Sequence, residues 1–103
     1  MIYFHGGGAF SGGAEYNIPL MNRYAQAAGI TIVNANYRLA PEAPAPKGIY
    51  DAYAIVKDVL ANADRYGIDA NRVGIFGESG GAYITAGVGI MMAERNEGHL
   101  VKF

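Results

Sequence analysis

Gly77-Glu78-Ser79-Gly80-Gly81 is the stretch on which the fold turns. It follows the G-x-S-x-G pattern, in which flanking glycines let a strand bend sharply into a helix and hold the serine hydroxyl at the tip. A bulky residue at Gly77 or Gly81 would clash in such a bend. The flanks agree, since Arg72 to Phe76 reads as a short strand and Gly80 to about Arg95 as a helix. Near the start of the chain stands a matching segment, His5-Gly6-Gly7-Gly8, closing a strand over residues 1–5. Its glycines present backbone N–H groups to a negatively charged oxygen with no Cβ in the way. A lone G-x-S-x-G is weak, because many matches are plain loops. The two motifs together, in this order and on these elements, are specific.

Between them the pattern alternates. Leu20, Met21, Tyr24, Ala25 and Ala28 recur at helical spacing after Pro19, and Gly29 suits the helix end. Ile30 to Asn36 reads as a second strand, whose Ile32 and Val33 suit a sheet covered on both faces. Pro41, Pro44 and Pro46 interrupt the chain. The spacing then predicts one helix over 48–66, with Ile49, Ala52, Tyr53, Val56, Val59, Leu60 and Ala63 on its apolar stripe and Gly67 closing it. Asp51, Lys57, Asp58 and Arg65 on its other face read as solvated surface. The helix after Ser79 is apolar nearly all round, which predicts a central, buried place. His99 to Phe103 reads as the start of a fourth strand. This order is that of an α/β fold with a parallel sheet of three to four strands, three flanking helices and right-handed crossovers. No repeat, low-complexity segment or inter-domain linker divides it.

Composition narrows the function. With 103 residues, 51% hydrophobic, and a net charge of -1, the chain reads as one globular unit without the basic stripe that nucleic acid requires. The absence of cysteine excludes disulfides and thiol catalysis, and two distant histidines build no metal site. No G-K-[ST] follows the glycines, so they do not form a phosphate loop, and no cofactor is expected. The first residues lack the features of a signal peptide. The longest apolar stretch, Ala82 to Ala93, is well short of the roughly 20 residues of a membrane span. A cytoplasmic or otherwise soluble protein is the expectation.

A third segment, Tyr37-Arg38-Leu39-Ala40-Pro41-Glu42, has no evident chemistry of its own, but with the two motifs it resembles the hormone-sensitive-lipase-like branch of the α/β-hydrolase fold. That resemblance implies a serine esterase or lipase acting on a small-molecule ester. It covers the whole chain but only the middle of a family member. Residues 1–103 are therefore expected to be the central part of a catalytic domain, without the family's N-terminal and C-terminal segments and without its catalytic Asp and His. Asn36 and Gly80 depart from the family's usual Asp and Ala, and neither change removes a backbone donor. In the family's sheet order the strand ending at His5 lies between the other two. This creates a switch point at which the glycine loop and Ser79 face each other across strands about 4.8 Å apart.

On this reading Ser79 is the nucleophile, and the N–H groups of Gly7, Gly8 and Gly80 form an oxyanion hole, a single donor of which is worth about 3 kcal/mol. His5, Gly6, Gly77, Glu78 and Gly81 support the two turns. The plainer alternative for the glycines is a tight turn with no catalytic role, and Gly12, Gly13, Gly87 and Gly89 are better read as turn or packing residues. His5 could be imagined as a general base, but the resemblance implies an anchor for the glycine loop. Ser79, Glu94 or Glu97, and His99 mimic the chain order of a triad, yet the intervening helix carries His99 roughly 20 Å away. Glu78 either orients the bend or is held by local backbone donors. Arg38 and Glu42 are expected to pin the proline-rich loop, and Tyr3, Tyr16, Tyr37 and Tyr83 to be core or pocket residues. Lacking the triad Asp and His, these residues alone are expected to be inactive. Open sheet edges are expected to favour self-association or aggregation. The rival reading is a non-catalytic small-molecule binder of the same fold.

Overall fold

The computed structural model describes residues 1–103. Three parallel strands, β1 (Ile2–Phe4), β2 (Val33–Ala35) and β3 (Ile75–Gly77), form a sheet in the order β2-β1-β3. The register pairs Tyr3 with Asn34 on one side and with Phe76 on the other. Four helices connect and cover the strands: α1 (Ile18–Ala28), α2 (Lys47–Ala61), α3 (Ala63–Tyr66) and α4 (Gly80–Glu94).

Side chains alternate across a strand, so Ile2 and Phe4 point to one face of β1 and Tyr3 to the other. On the first face, Ile2, Phe4, Ala35 and Ile75 join Ile49, Ala52, Val56 and Val59 of α2 and Ile84, Val88 and Met92 of α4 in one buried core. On the second, the Tyr3 and Phe76 rings pack with centroids 5.0 Å apart. There a 3-10 turn over Ala14–Asn17 is tied to β2 and the residue after it: Asn34 Nδ2 donates to the Ala14 carbonyl and Ala14 N–H to Asn36 Oδ1, both at 2.8 Å. Gly29 ends α1 at φ 64°, the left-handed position glycine takes without strain.

Five sequence expectations change in the folded chain. The helix over 48–66 breaks at Asn62, whose side-chain amide bonds the Asp58 carbonyl at 3.0 Å and its carboxylate at 2.8 Å. Such local side-chain bonds offer the backbone an alternative to the helix. The charges on α2 are not merely solvated. Asp51 accepts from Arg38 Nε and NH2 at 2.8 Å each, and Glu97 accepts from Lys57 at 2.7 Å and from the Tyr53 hydroxyl at 2.6 Å. Arg38 thus pins the start of the proline-rich loop, whereas Glu42 makes no side-chain bond.

Helix α4 buries Gly81, Ile84, Val88 and Met92 but leaves Tyr83 and Ile90 more than half exposed, so only one of its apolar faces is covered. The fourth strand is incomplete. Residues 98–100 form a 3-10 turn, and the extended residues after it bond to β3 and its approach through Lys102 N–H to Val73 O (2.8 Å) and Ile75 N–H to Phe103 O (3.0 Å).

Candidate active site

The bend after β3 places Ser79 at φ 50° and ψ -118°, a left-handed conformation that a side chain adopts only under strain. Its neighbours show why glycine is required. A methyl on Gly81 would overlap the Phe4 carbonyl oxygen and come within 2.7 Å of the His5 oxygen. One on Gly77 would overlap the Gly81 carbonyl and lie 2.8 Å from the Phe4 oxygen. The first turn of α4 therefore rests directly on the end of β1, and Ser79 is left exposed above it.

The glycine loop starts from that same strand end. His5 is 1% exposed, and its Nδ1 donates to the Gly6 carbonyl at 2.7 Å. Its ring stacks on Tyr37, centroids 4.6 Å apart, and the Tyr37 hydroxyl donates to the His5 carbonyl at 2.6 Å. His5 is thus an anchor of the loop, and Tyr37, expected from the sequence as a core or pocket residue, joins the end of β2 to that anchor. Gly7, Gly8 and Ala9 all have positive φ, and the loop closes through Phe10 and Ser11 N–H groups to the Gly7 carbonyl. Ala9 O accepts from Ala40 N–H at 2.8 Å, joining the glycine loop to the proline-rich loop.

The two motifs meet. A methyl built on Gly80 would lie 2.7 Å from both the Gly8 and the Ala9 backbone nitrogens. The N–H groups of Gly7, Gly8, Ala9 and Gly80 make no hydrogen bond within the chain. Ala9 is the member of this group that sequence reasoning missed, because alanine carries no signal for a left-handed turn. Gly6 faces Glu78, whose carbonyl would stand 3.2 Å from a methyl there. The buried Tyr3 hydroxyl faces Glu78. Burial, and then the neighbouring Glu78 carboxylate, push it up to about 12.

Neither histidine approaches Ser79 as a base. His5 is buried behind the glycine loop with Nδ1 engaged, and His99 lies past the far end of the 15-residue helix α4, about 20 Å along its axis. Glu97, the acid of the apparent triad order, is held instead by Lys57 and Tyr53. Of the other tyrosines, Tyr3 and Tyr37 are core, Tyr16 is exposed, and Tyr83 lines a cavity beside Gly8 and Gly80.

A serine bend and a glycine loop meeting at the switch point of a parallel sheet define the α/β-hydrolase class of fold. The sequence model of the alpha/beta hydrolase fold family matches residues 1–103, and the chain belongs to that family. It is 40% identical over 86 residues to the carboxylesterase NlhH of Mycobacterium tuberculosis, a match covering 84% of this chain and 27% of the relative. It is 35% identical over 98 residues to the arylacetamide deacetylase of Bos taurus, covering 91% and 25%. Among solved structures, a hyperthermophilic esterase from the archaeon Pyrobaculum calidifontis superposes with a TM-score of 0.94 at 37% identity, covering 98% of this chain and 32% of that one. The chain thus spans about a quarter to a third of the length of these relatives. No helix is long and apolar enough to cross a membrane.

Proposed function

We propose that these residues carry the nucleophile and oxyanion half of a serine carboxylic ester hydrolase. Ser79 Oγ attacks the ester carbonyl carbon, and the carbonyl oxygen, gaining charge, is received by N–H groups of Gly7, Gly8 and Gly80, with Ala9 beside them. The helix that starts at Gly80 adds its positive end at the same place. His5, Gly6, Gly77, Glu78 and Gly81 hold the two turns against each other. The observation that carries this reading is the approach of Gly8 and Ala9 to Gly80, which leaves several unpaired backbone donors beside a strained, exposed serine. The relatives named as esterases support the reaction class.

Residues 1–103 then act as the central part of a catalytic domain, in which the orienting acid and base come from other segments. Without them serine is a weak nucleophile at neutral pH, and only about 10³ to 10⁴ of acceleration over water remains. A p-nitrophenyl alkylphosphonate, applied in large excess at alkaline pH where hydroxide takes the part of the general base, is the direct test. Mass spectrometry is expected to find the adduct on Ser79, with none in Ser79→Ala and little on Ser11, while p-nitrophenyl butyrate turns over negligibly. Equal labelling of Ser11 and Ser79 would refute the nucleophile. Ordinary enzymatic turnover of the butyrate, lost in Ser79→Ala, would refute the half-site reading. The uncovered face of α4 and the outer edge of β2 give a second copy of the chain a place to pair, so sedimentation is expected to show concentration-dependent association.

A further inference from the structure

At φ 63° Ala9 holds a left-handed conformation that disfavours any residue with a Cβ and persists only where the surroundings over-determine it. Two contacts do so. The Ala9 side chain packs against the hydrophobic core, and its carbonyl accepts from Ala40 N–H at 2.8 Å. The polar group these contacts leave over is the amide, which makes no hydrogen bond within the chain. Its nitrogen stands, like that of Gly8, 2.7 Å from the point a methyl on Gly80 would occupy. From the sequence, glycine in place of alanine at position 80 leaves the set of donors unchanged. In the folded chain it brings in one more.

The geometry points to the Ala9 N–H as a further donor to the ester oxyanion, admitted to the site by the missing methyl at residue 80. The inference rests on the reading of the glycine loop and the serine bend as an oxyanion hole. Gly8 and Ala9 are consecutive left-handed residues, at φ 66° and 63°. Successive N–H groups in such a turn form a concavity that receives negative charge. A methyl on residue 80 would press on both nitrogens from closer than ordinary contact, so the loop would have to retreat and carry the Ala9 amide out of reach. An amide fixed on one side by the core and on the other by Ala40 needs no reorganisation when charge develops on the carbonyl oxygen, which is what makes a donor effective. A glycine at position 9 would offer the same N–H without the side chain that seats it. The strain carried by Ala9 thus falls on the residue whose free group is at the site.

Acetate is the probe, one carboxylate oxygen standing for the oxyanion. The full isotope-labelled 103-residue chain is titrated with sodium acetate against sodium chloride at equal ionic strength, and the slope of each amide-proton NMR shift is read. The Gly8, Ala9 and Gly80 amides are expected to move downfield with slopes within about twofold of one another, as charge-assisted hydrogen bonds form. Those of Phe10 and Ser11, whose N–H groups are taken by the Gly7 carbonyl, are expected to stay. In Gly80→Ala the Ala9 slope is expected to fall about tenfold, the loss in affinity that goes with one hydrogen bond to a charged group. The parent chain by itself decides whether Ala9 is a donor, so that result stands even if Gly80→Ala does not fold.

Movement of Gly8 and Gly80 with Ala9 unmoved would overturn the inference and leave the oxyanion hole standing. No movement at any of the three would overturn the hole and the inference with it. Phe10 and Ser11 moving as far as Ala9 would mark a displacement of the whole loop and overturn the donor. An Ala9 slope unchanged in Gly80→Ala would overturn the part given to residue 80.

Discussion

Of the four glycines in helix α4, three (Gly81, Gly87 and Gly89) separate helix propensity from packing when replaced by alanine. In a helix interior alanine is favoured over glycine by about 0.8–1.0 kcal/mol. At Gly89 a methyl meets nothing within 4 Å, so Gly89→Ala is expected to raise stability by nearly that amount. At Gly87 the methyl would overlap the tip of the Ile49 side chain and lie 2.8 Å from its Cγ1. That side chain can shift, and overpacking of about 1–3 kcal/mol against the propensity gain leaves a net loss of roughly 0–2 kcal/mol. At Gly81 the obstacles are the Phe4 and His5 backbone carbonyls, which cannot move without dislodging β1. Gly81→Ala is therefore expected to lose about 3 kcal/mol or more. Urea unfolding followed by far-UV circular dichroism reads the series directly. In thermal terms Gly89→Ala gains about 4–8 °C and Gly81→Ala loses well over that. Three equal effects, or a Gly81→Ala chain as stable as the parent, would refute the seating of α4 on the end of β1, on which the whole site depends.

Strain at Ser79 is open to a similar comparison. With φ at 50°, Ser79→Gly is expected to be more stable than Ser79→Ala by about 1 kcal/mol, the reverse of the usual order, and equal unfolding midpoints would contradict the bend. The two surface ion pairs make a pH prediction. Hydrogen bonds from Arg38 hold the Asp51 carboxyl below its ordinary value, and bonds from Lys57 and then Tyr53 do the same for Glu97. A lowered folded value means stabilisation that is present above the unfolded pKa, about 4, and lost as pH falls through the folded one. Asp51→Asn and Glu97→Gln are thus expected to lower the urea midpoint at pH 7 and to converge on the parent at the acid end, and a difference that persists there would refute the linkage.

The fold was legible where backbone demands and side-chain periodicity coincide. The α2 stripe from Ile49 to Val59 and the β1 run are buried as their spacing requires, because both elements have one face that must leave water. The order β2-β1-β3 came through the resemblance, since no spacing within three short strands determines which lies in the middle. What escaped was local competition and which helix faces are covered. The break at Asn62 depends on a four-atom side chain finding Asp58. The exposure of Tyr83 and Ile90 depends on what packs on α4, which an apolar composition cannot reveal.

At the bend, each glycine stands where backbone excludes a Cβ: the Phe4 carbonyl at Gly81, the Gly81 carbonyl at Gly77, and two amide nitrogens at Gly80. The last of these links the departure at position 80 to the shape of the pocket. Alanine there would bring a methyl to 2.7 Å from the Gly8 and Ala9 nitrogens, so the glycine loop can sit this close to the bend only because residue 80 has no side chain. Next to it, the Ala9 carbonyl accepts from Ala40 N–H, and both residues line the cavity beside Gly8 and Gly80. A single missing methyl thereby sets how closely the Gly8 and Ala9 amides approach residue 80. That arrangement runs through backbone contacts, which is why the identities of Ala9 and Ala40 gave no hint of it.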